Sequence, residues 1–220
     1  MTRIFLIALV VLGITQLAVA HETAGSWAKH HDDAASARSI DLDRYDNMGG
    51  DFALTNPEGQ TVRLSNYRGK GILVFFGYTY CPDACPLTVA KVSQAMGLLG
   101  KKRQQVQFLF ISTDPERDTP QRLKDWLAGF DPRFVGLRGS LAELAALEKR
   151  YWAFHIKLSP DSDTGSYLVN HTSRLFLIDQ QGVVRYLFTP DQPATSIVEG
   201  MRLLLKPNSW WARLRLLFAS

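Results

Sequence analysis

Two apolar runs constrain this chain more than anything else in it. Residues 72–76 read Ile-Leu-Val-Phe-Phe without a polar break, and residues 106–111 are apolar apart from one glutamine. A strand with one wet face alternates polar and apolar residues, so a continuous run must be covered on both sides. Between the two, residues 86–102 place Leu87, Ala90, Val92, Ala95, Met96 and Leu99 at helical spacing. Buried strands that alternate with helices predict an α/β three-layer sandwich. At 220 residues, one domain can supply a core of its own.

The flanking segments fit this class. Residues 52–54 and 61–64 flank the turn-forming Asn56-Pro-Glu-Gly59 and predict a β-hairpin. Asp118-Thr119-Pro120 opens a helix whose apolar face is Leu123, Trp126 and Leu127. Residues 134–137 suit a short strand, and Ser140 with Glu143 forms a capping-box pattern before a third helix. Residues 153–158 and 175–178 read as strands, Gln181-Gly182 turns into a strand over 183–188, and a last helix covers 195–206. No internal repeat at solenoid periods is present.

Both ends of the chain read differently. Arg3, an apolar stretch over 4–14 and Ala18-Val19-Ala20 form the pattern of a cleaved secretory signal over residues 1–20. The rival reading is an uncleaved membrane anchor. Either places the body in the periplasm or another extracytoplasmic space. Residues 21–48, with His21, His30, His31 and an Asp-rich patch, predict a flexible tether, and residues 49–206 the folded domain. Residues 207–220 form a basic aromatic tail with Trp210, Trp211, Arg213, Arg215 and Phe218. It suits either an interfacial helix in peripheral contact with a membrane or a helix packed on its own domain. Lys and Arg number 25 against 21 Asp and Glu, with no basic stripe, which excludes nucleic acid as a partner. Two cysteines exclude a disulfide scaffold and a four-cysteine zinc module.

The chemistry concentrates in Cys81-Pro-Asp-Ala-Cys85-Pro86, between a buried strand and a helix. Ligands of open α/β sheets gather at the carboxyl ends of strands. An i, i+4 spacing within a helical turn puts two sulfurs on one face, about 5–6 Å apart at Cβ. That suits a disulfide with modest adjustment or a shared soft metal ion. A helix start lowers thiol pKa values, and Pro82 and Pro86 stiffen the loop. A purely stabilising disulfide is weakly motivated, since closing so short a loop constrains the unfolded chain little. Haem attachment fails for want of C-x-x-C-H. A peroxidatic thiol fits poorly, because Tyr78 stands where a Thr or Ser is needed and Thr79 is one residue too close.

A metal would need a third ligand, from His155 or His171. His171 lies in a polar turn just before the buried run 175–178. Such a turn faces the carboxyl end of a neighbouring strand if its own strand runs antiparallel. His155 alternates with Phe154 and Ile156 inside a strand, the setting of a half-exposed histidine. Two thiolates and an imidazole suit Cu(I), or Cu(II) with one more oxygen or nitrogen. Zinc could take the same set, but no acid–base partner is evident, and iron–sulfur clusters need more thiolates. Met48, Met96 and Met201 are too scattered for a methionine-rich copper site.

Three motifs in order, Gly77-Tyr-Thr-Tyr-Cys81-Pro-Asp-Ala-Cys85-Pro-Leu-Thr88, Ser112-Thr-Asp-Pro-Glu-Arg-Asp-Thr-Pro120 and Tyr167-Leu-Val-Asn-His171-Thr-Ser173, resemble the SCO/SenC family. These are thioredoxin-like copper proteins that help to build the Cu(A) centre of cytochrome c oxidase. The likeness runs from about Phe52 to Lys206. It implies a thioredoxin-like fold with an added N-terminal hairpin, and copper on Cys81, Cys85 and His171. Asp114 and Asp118 would lie near that site; a strand-to-helix turn explains residues 118–120 without a ligand role. Many family members keep a membrane anchor, whereas this signal looks cleavable. The resemblance implies a copper metallochaperone whose partner is the copper-bearing subunit of cytochrome c oxidase, with another copper carrier or a thiol reductase as further partners. The competing expectation is a thiol–disulfide oxidoreductase that uses Cys81 and Cys85 as its redox pair. A copper- or redox-responsive signalling module is a third.

Overall fold

A computed structural model of the protein describes Ile40 and residues 42–206. The expected signal, the N-terminal histidines and the aromatic tail lie outside the described residues. Ile40 and Met48, expected in the tether, are buried. The Tyr45 N–H donates to the Val184 carbonyl at 3.1 Å, and Arg185 donates to the carbonyls of Leu42 and Asp43. The end of the 21–48 segment therefore packs on the domain, because it carries apolar side chains and strand-edge hydrogen bonds that a solvated tether lacks.

The elements are β1 (Ala53–Thr55), β2 (Thr61–Arg63), β3 (Gly71–Gly77), α1 (Ala84–Leu99), β4 (Val106–Ser112), α2 (Pro120–Ala128), β5 (Val135–Leu137), α3 (Leu141–Tyr151), β6 (His155–Lys157), β7 (Val169–His171), β8 (Leu175–Ile178), β9 (Val184–Phe188) and α4 (Ala194–Leu204). The main sheet has five strands in the order β5-β4-β3-β8-β9. β3 runs parallel to β4, and β4 to β5, while β8 is antiparallel to both β3 and β9. The predicted N-terminal hairpin is β1–β2, and β6–β7 form a separate two-stranded sheet.

The apolar runs do what their lack of alternation requires. All seven residues of β3 are buried. Leu73 and Phe75 pack with α1, α2 and α4 residues such as Val92, Leu123 and Met201. Ile72, Val74 and Phe76 pack on the other side with Leu144, Leu147 and Tyr151 of α3 and with Phe52 and Leu54 of the hairpin region. Each such side chain contributes about 1.5–3 kcal/mol, and the two clusters are the outer spaces of the three-layer sandwich. Met48, Met96 and Met201 are all spent in this core.

Local signals set most helix starts. The Thr119 hydroxyl accepts from the Arg122 N–H with Pro120 at the first helical position, and Ser140 and Glu143 form the expected capping box. Two boundaries differ from expectation. α1 begins at Ala84, so Cys85 is helical, and its end gives way to a 3-10 turn over Gly100–Gln105. Residues 153–158 yield only the short β6, which pairs with β7 rather than joining the main sheet. Its outward Phe154, Ile156 and Leu158 are exposed, so their alternation marked a hairpin face and not a core strand.

Candidate metal centre

The site forms where β3 ends. The chain leaves Gly77, turns with the Cys81 N–H donating to the Tyr78 carbonyl at 3.3 Å, and enters α1 at Ala84. Cys85, in the first turn of α1, is buried and Cys81, in the loop, is partly exposed; both are free thiols. The two do not share a helical face, as the i, i+4 spacing predicted. Instead the Cys85 backbone N–H points at the Cys81 sulfur, 3.5 Å away, so the helix N-terminus serves Cys81. Gly77 makes room for this: a Cβ there would lie 2.9 Å from Cys85 Sγ and 2.9 Å from the Phe75 ring.

His171 arrives from the far side. Because β8 runs antiparallel to β3, with Leu175 opposite Phe75, the residues just before β8 lie beside the end of β3. The expected polar turn is in fact strand β7. The ring packs edge-on against Phe75 at 6.0 Å and Tyr78 at 5.7 Å. Its Nδ1 lies 3.0 Å from the Thr172 carbonyl oxygen. A carbonyl only accepts, so Nδ1 carries a proton, and in the neutral ring that a metal needs Nε2 is the nitrogen with the lone pair. That Nε2 faces Cys85 Sγ at 3.3 Å. The Cys81, Cys85 and His171 ligand atoms all lie within 4.8 Å of one another.

His155, the other candidate, turns away. Its Nδ1 is 2.6 Å from Glu148 Oε1, and it takes no part in the cluster. Asp114 and Asp118 are structural neighbours. Asp118 is fully buried and accepts from the Thr79 hydroxyl at 2.7 Å, the Ser112 hydroxyl at 2.6 Å and the Thr79 N–H at 3.1 Å. It ties the ends of β3 and β4 together beneath the cysteine loop. Thr119 caps α2 ahead of Pro120, as the turn reading expects; that Asp118 ties the strand ends is not legible from the turn. Asp114 accepts from Arg117 and from the Tyr167 hydroxyl. Neither Tyr78, Arg117 nor Tyr167 carries a sequence signal of its own beyond the motifs that hold it.

The two thiols are not equivalent. The Cys85 thiol donates to the Cys81 sulfur, and with backbone N–H groups of Asp83 and Cys85 this pulls the Cys81 pKa down to about 4 despite partial burial. The same hydrogen bond, reinforced by burial, pushes the Cys85 thiol far up. Two sulfurs and an imidazole at this spacing suit a soft metal ion, and an exposed thiolate beside a buried thiol suits disulfide exchange.

Comparison with known proteins agrees with this geometry. The chain is 32% identical over 155 residues to the SCO2-like protein of Rickettsia felis, covering 70% of this chain and 76% of that one. It is similar to a solved structure of Bradyrhizobium japonicum ScoI with copper bound, at 37% identity, TM-score 0.66, and coverage of 72% of this chain and 99% of the other. The solution structures of apo Sco1 from Thermus thermophilus match at 35% identity and TM-score 0.67, covering 77% and 99%. The fold is accordingly thioredoxin-like. With the family profile described as SCO1/SenC matching residues 41–206, this chain belongs to the SCO1/SenC family.

Proposed function

We propose that this chain is an extracytoplasmic copper metallochaperone. It holds one copper ion on Cys81 Sγ, Cys85 Sγ and His171 Nε2 and delivers it to the copper-bearing subunit of cytochrome c oxidase. The observation that carries this reading is the convergence of the three donor atoms within 4.8 Å, with the Thr172 contact taking up Nδ1 so that Nε2 is the ligand nitrogen of the neutral ring. The donor set is soft enough for Cu(I) and accepts Cu(II) with one added ligand. The copper-bound Bradyrhizobium japonicum ScoI supports copper as the ion.

Delivery by ligand exchange needs a sulfur that a partner can reach, and Cys81 is partly exposed. Beside it, the hairpin that carries His171 turns Phe154, Ile156, Leu158 and Leu168 to the outside, an apolar face of the kind protein partners cover. Export is supported by the signal pattern of residues 1–20. Among the described residues, no helix is long and apolar enough to cross a membrane.

The test is copper titration of the purified chain with its thiols reduced. The expected result is one copper per chain, with a sulfur-to-Cu(II) charge-transfer band when Cu(II) is loaded. His171→Ala should weaken retention by more than the about 10–100-fold typical of losing an outer partner. Retention equal to the parent's would remove the three-ligand site.

The asymmetry of the thiols supports a second reading, thiol–disulfide exchange. The Cys81 thiolate would bond to one sulfur of a partner disulfide and expel the other as a thiolate. Cys85 would then attack Cys81 and release the second partner sulfur, leaving the partner reduced and Cys81–Cys85 oxidised. His171→Ala separates the readings, because it should leave this exchange largely working.

A further inference from the structure

The β6–β7 hairpin that carries His171 is a sheet of its own. Its ladder pairs only Lys157 with Val169, Ile156 with Asn170 and His155 with His171. Hydrogen bonds within the hairpin cannot fix where it sits against β3 and α1. The short link from β7 into β8 brings its end beside β3, and side chains that reach across hold it there.

Arg117 sits at the centre of that reach on the side of the cysteine loop. It lies in the loop after β4, its side chain only 20% exposed. Nη1 donates to the Tyr167 carbonyl at 2.9 Å, and the guanidinium lies 3.5 Å from the centre of the Tyr167 ring. Nε donates to Asp114, whose other oxygen accepts from the Tyr167 hydroxyl at 2.9 Å. Lys157 on β6 completes the grip, 2.7 Å from Glu116 and 4.0 Å from the Tyr167 ring centre. The same guanidinium faces Tyr80, next to Cys81, at 4.9 Å, and Tyr78 at 5.7 Å. Tyr78 in turn donates no backbone tie of its own to β7 but accepts the Val169 N–H on its hydroxyl at 3.2 Å and packs on the His171 ring. One cation thus touches the cysteine loop, the loop after β4 and the entry to β7.

We propose that Arg117 is a positioning residue: through Tyr167 it fixes the β6–β7 hairpin so that His171 Nε2 stays within reach of the cysteine pair, and so slows metal release. The inference rests on the copper reading above. A buried charge is costly, and Arg117 Nη2 is buried with no hydrogen-bond partner. A neutral side chain would avoid that cost, but it could not bind a carbonyl and a carboxylate while stacking on aromatic faces. Metal bonds tolerate length errors of only about 0.2 Å, so a small drift of the hairpin is enough to release the imidazole.

The test uses the full chain and four variants: Arg117→Gln, Arg117→Lys, His171→Ala and the double variant His171→Ala with Arg117→Gln. Copper loss to a chelator is followed in each, and amide hydrogen exchange is measured on the metal-free proteins. Arg117→Gln should speed copper loss by about tenfold or more and raise exchange at residues 169–171 several-fold, with β3 and β4 unchanged. Arg117→Lys should rescue little, since an ammonium lacks the planar fork. In the His171→Ala background, Arg117→Gln should add nothing to copper loss. Unchanged exchange at residues 169–171, or an additive loss in the double variant, overturns the proposal. If Arg117→Gln does not fold, Tyr167→Leu carries the same test, because it removes the stacked ring and the hydroxyl tie. A His171→Ala chain that retains copper like the parent overturns the metal-site reading instead, and the exchange result still reports on the hairpin.

Discussion

His155 and His171 stand directly opposite each other across the β6–β7 ladder, yet their rings serve different ends. His155 Nδ1 meets Glu148 on α3 at 2.6 Å, whereas His171 Nε2 meets Cys85 Sγ on α1 at 3.3 Å. Paired residues share a face of the hairpin, so both rings point inward. What separates them is which helix each one finds.

His155→Ala should therefore leave copper retention as in the parent. It should lower stability by about 1–2 kcal/mol, because the nearly buried Glu148 carboxylate loses its partner. Chelator competition and denaturant unfolding on one variant check both statements. A large loss of copper would reassign the third ligand.

Cys81 and Cys85 should differ sharply in reactivity in the reduced, copper-free protein. With its pKa pulled down to about 4, Cys81 is a thiolate at every pH above that value. Alkylation of Cys81 should thus already be near its plateau at pH values where a free cysteine, with a pKa of about 8.5, is still protonated. Cys85 is buried and its thiol is pushed up, so it should stay unlabelled through the neutral range. Mass mapping after timed alkylation reads both rates.

Gly77→Ala should damage the site from behind. The added Cβ would meet Cys85 Sγ and Phe75 at 2.9 Å and Phe110 at 3.1 Å. Overpacking of this kind costs about 1–3 kcal/mol, and the displaced sulfur should weaken copper binding as well. Gly97→Ala is the control: it lies within α1 with nothing within 4 Å of the new Cβ. That change should stabilise by about 0.5–1 kcal/mol and leave copper retention intact.

Asp118 predicts a direction of pH dependence. Burial raises its pKa above the ordinary 3.8, although hydrogen bonds from Ser112 and Thr79 oppose the shift. Below 3.8 the carboxyl is neutral in both folded and unfolded chains. As pH rises past that value the unfolded carboxyl ionises first, so folding stability falls until the folded pKa is passed and stays level beyond it. Relative to Asp118→Asn, the parent should lose stability across that acid window. Asp118→Ala should cost about 2–4 kcal/mol below that window and less above it, because three buried donors lose their acceptor while the parent's own acid-window loss disappears. Unfolding free energies of the three proteins across pH settle the sign.

Much of this was legible in the chain alone. The apolar runs at 72–76 and 106–111 force burial on both faces, and capping residues such as Ser140 act within one turn. The segments that misled are those whose partners are distant. Residues 153–158 alternate like a core strand, but alternation says only that two faces differ, not what each one meets. Residues 169–171 are too few to show a period, and they became β7 only by pairing with β6.

The amino-acid order determined the α/β layering and the placing of two sulfurs at the start of a helix, because those depend on contacts a few residues apart. Spacing and the resemblance already favoured His171 over His155, but neither showed how its ring reaches the cysteines. The tertiary structure supplies that route: an antiparallel β8 carries His171 to the end of β3, and a contact with Thr172 turns its Nε2 toward a cysteine 86 positions away. Local sequence cannot encode that route, since the ring's destination is set by how separate elements pack.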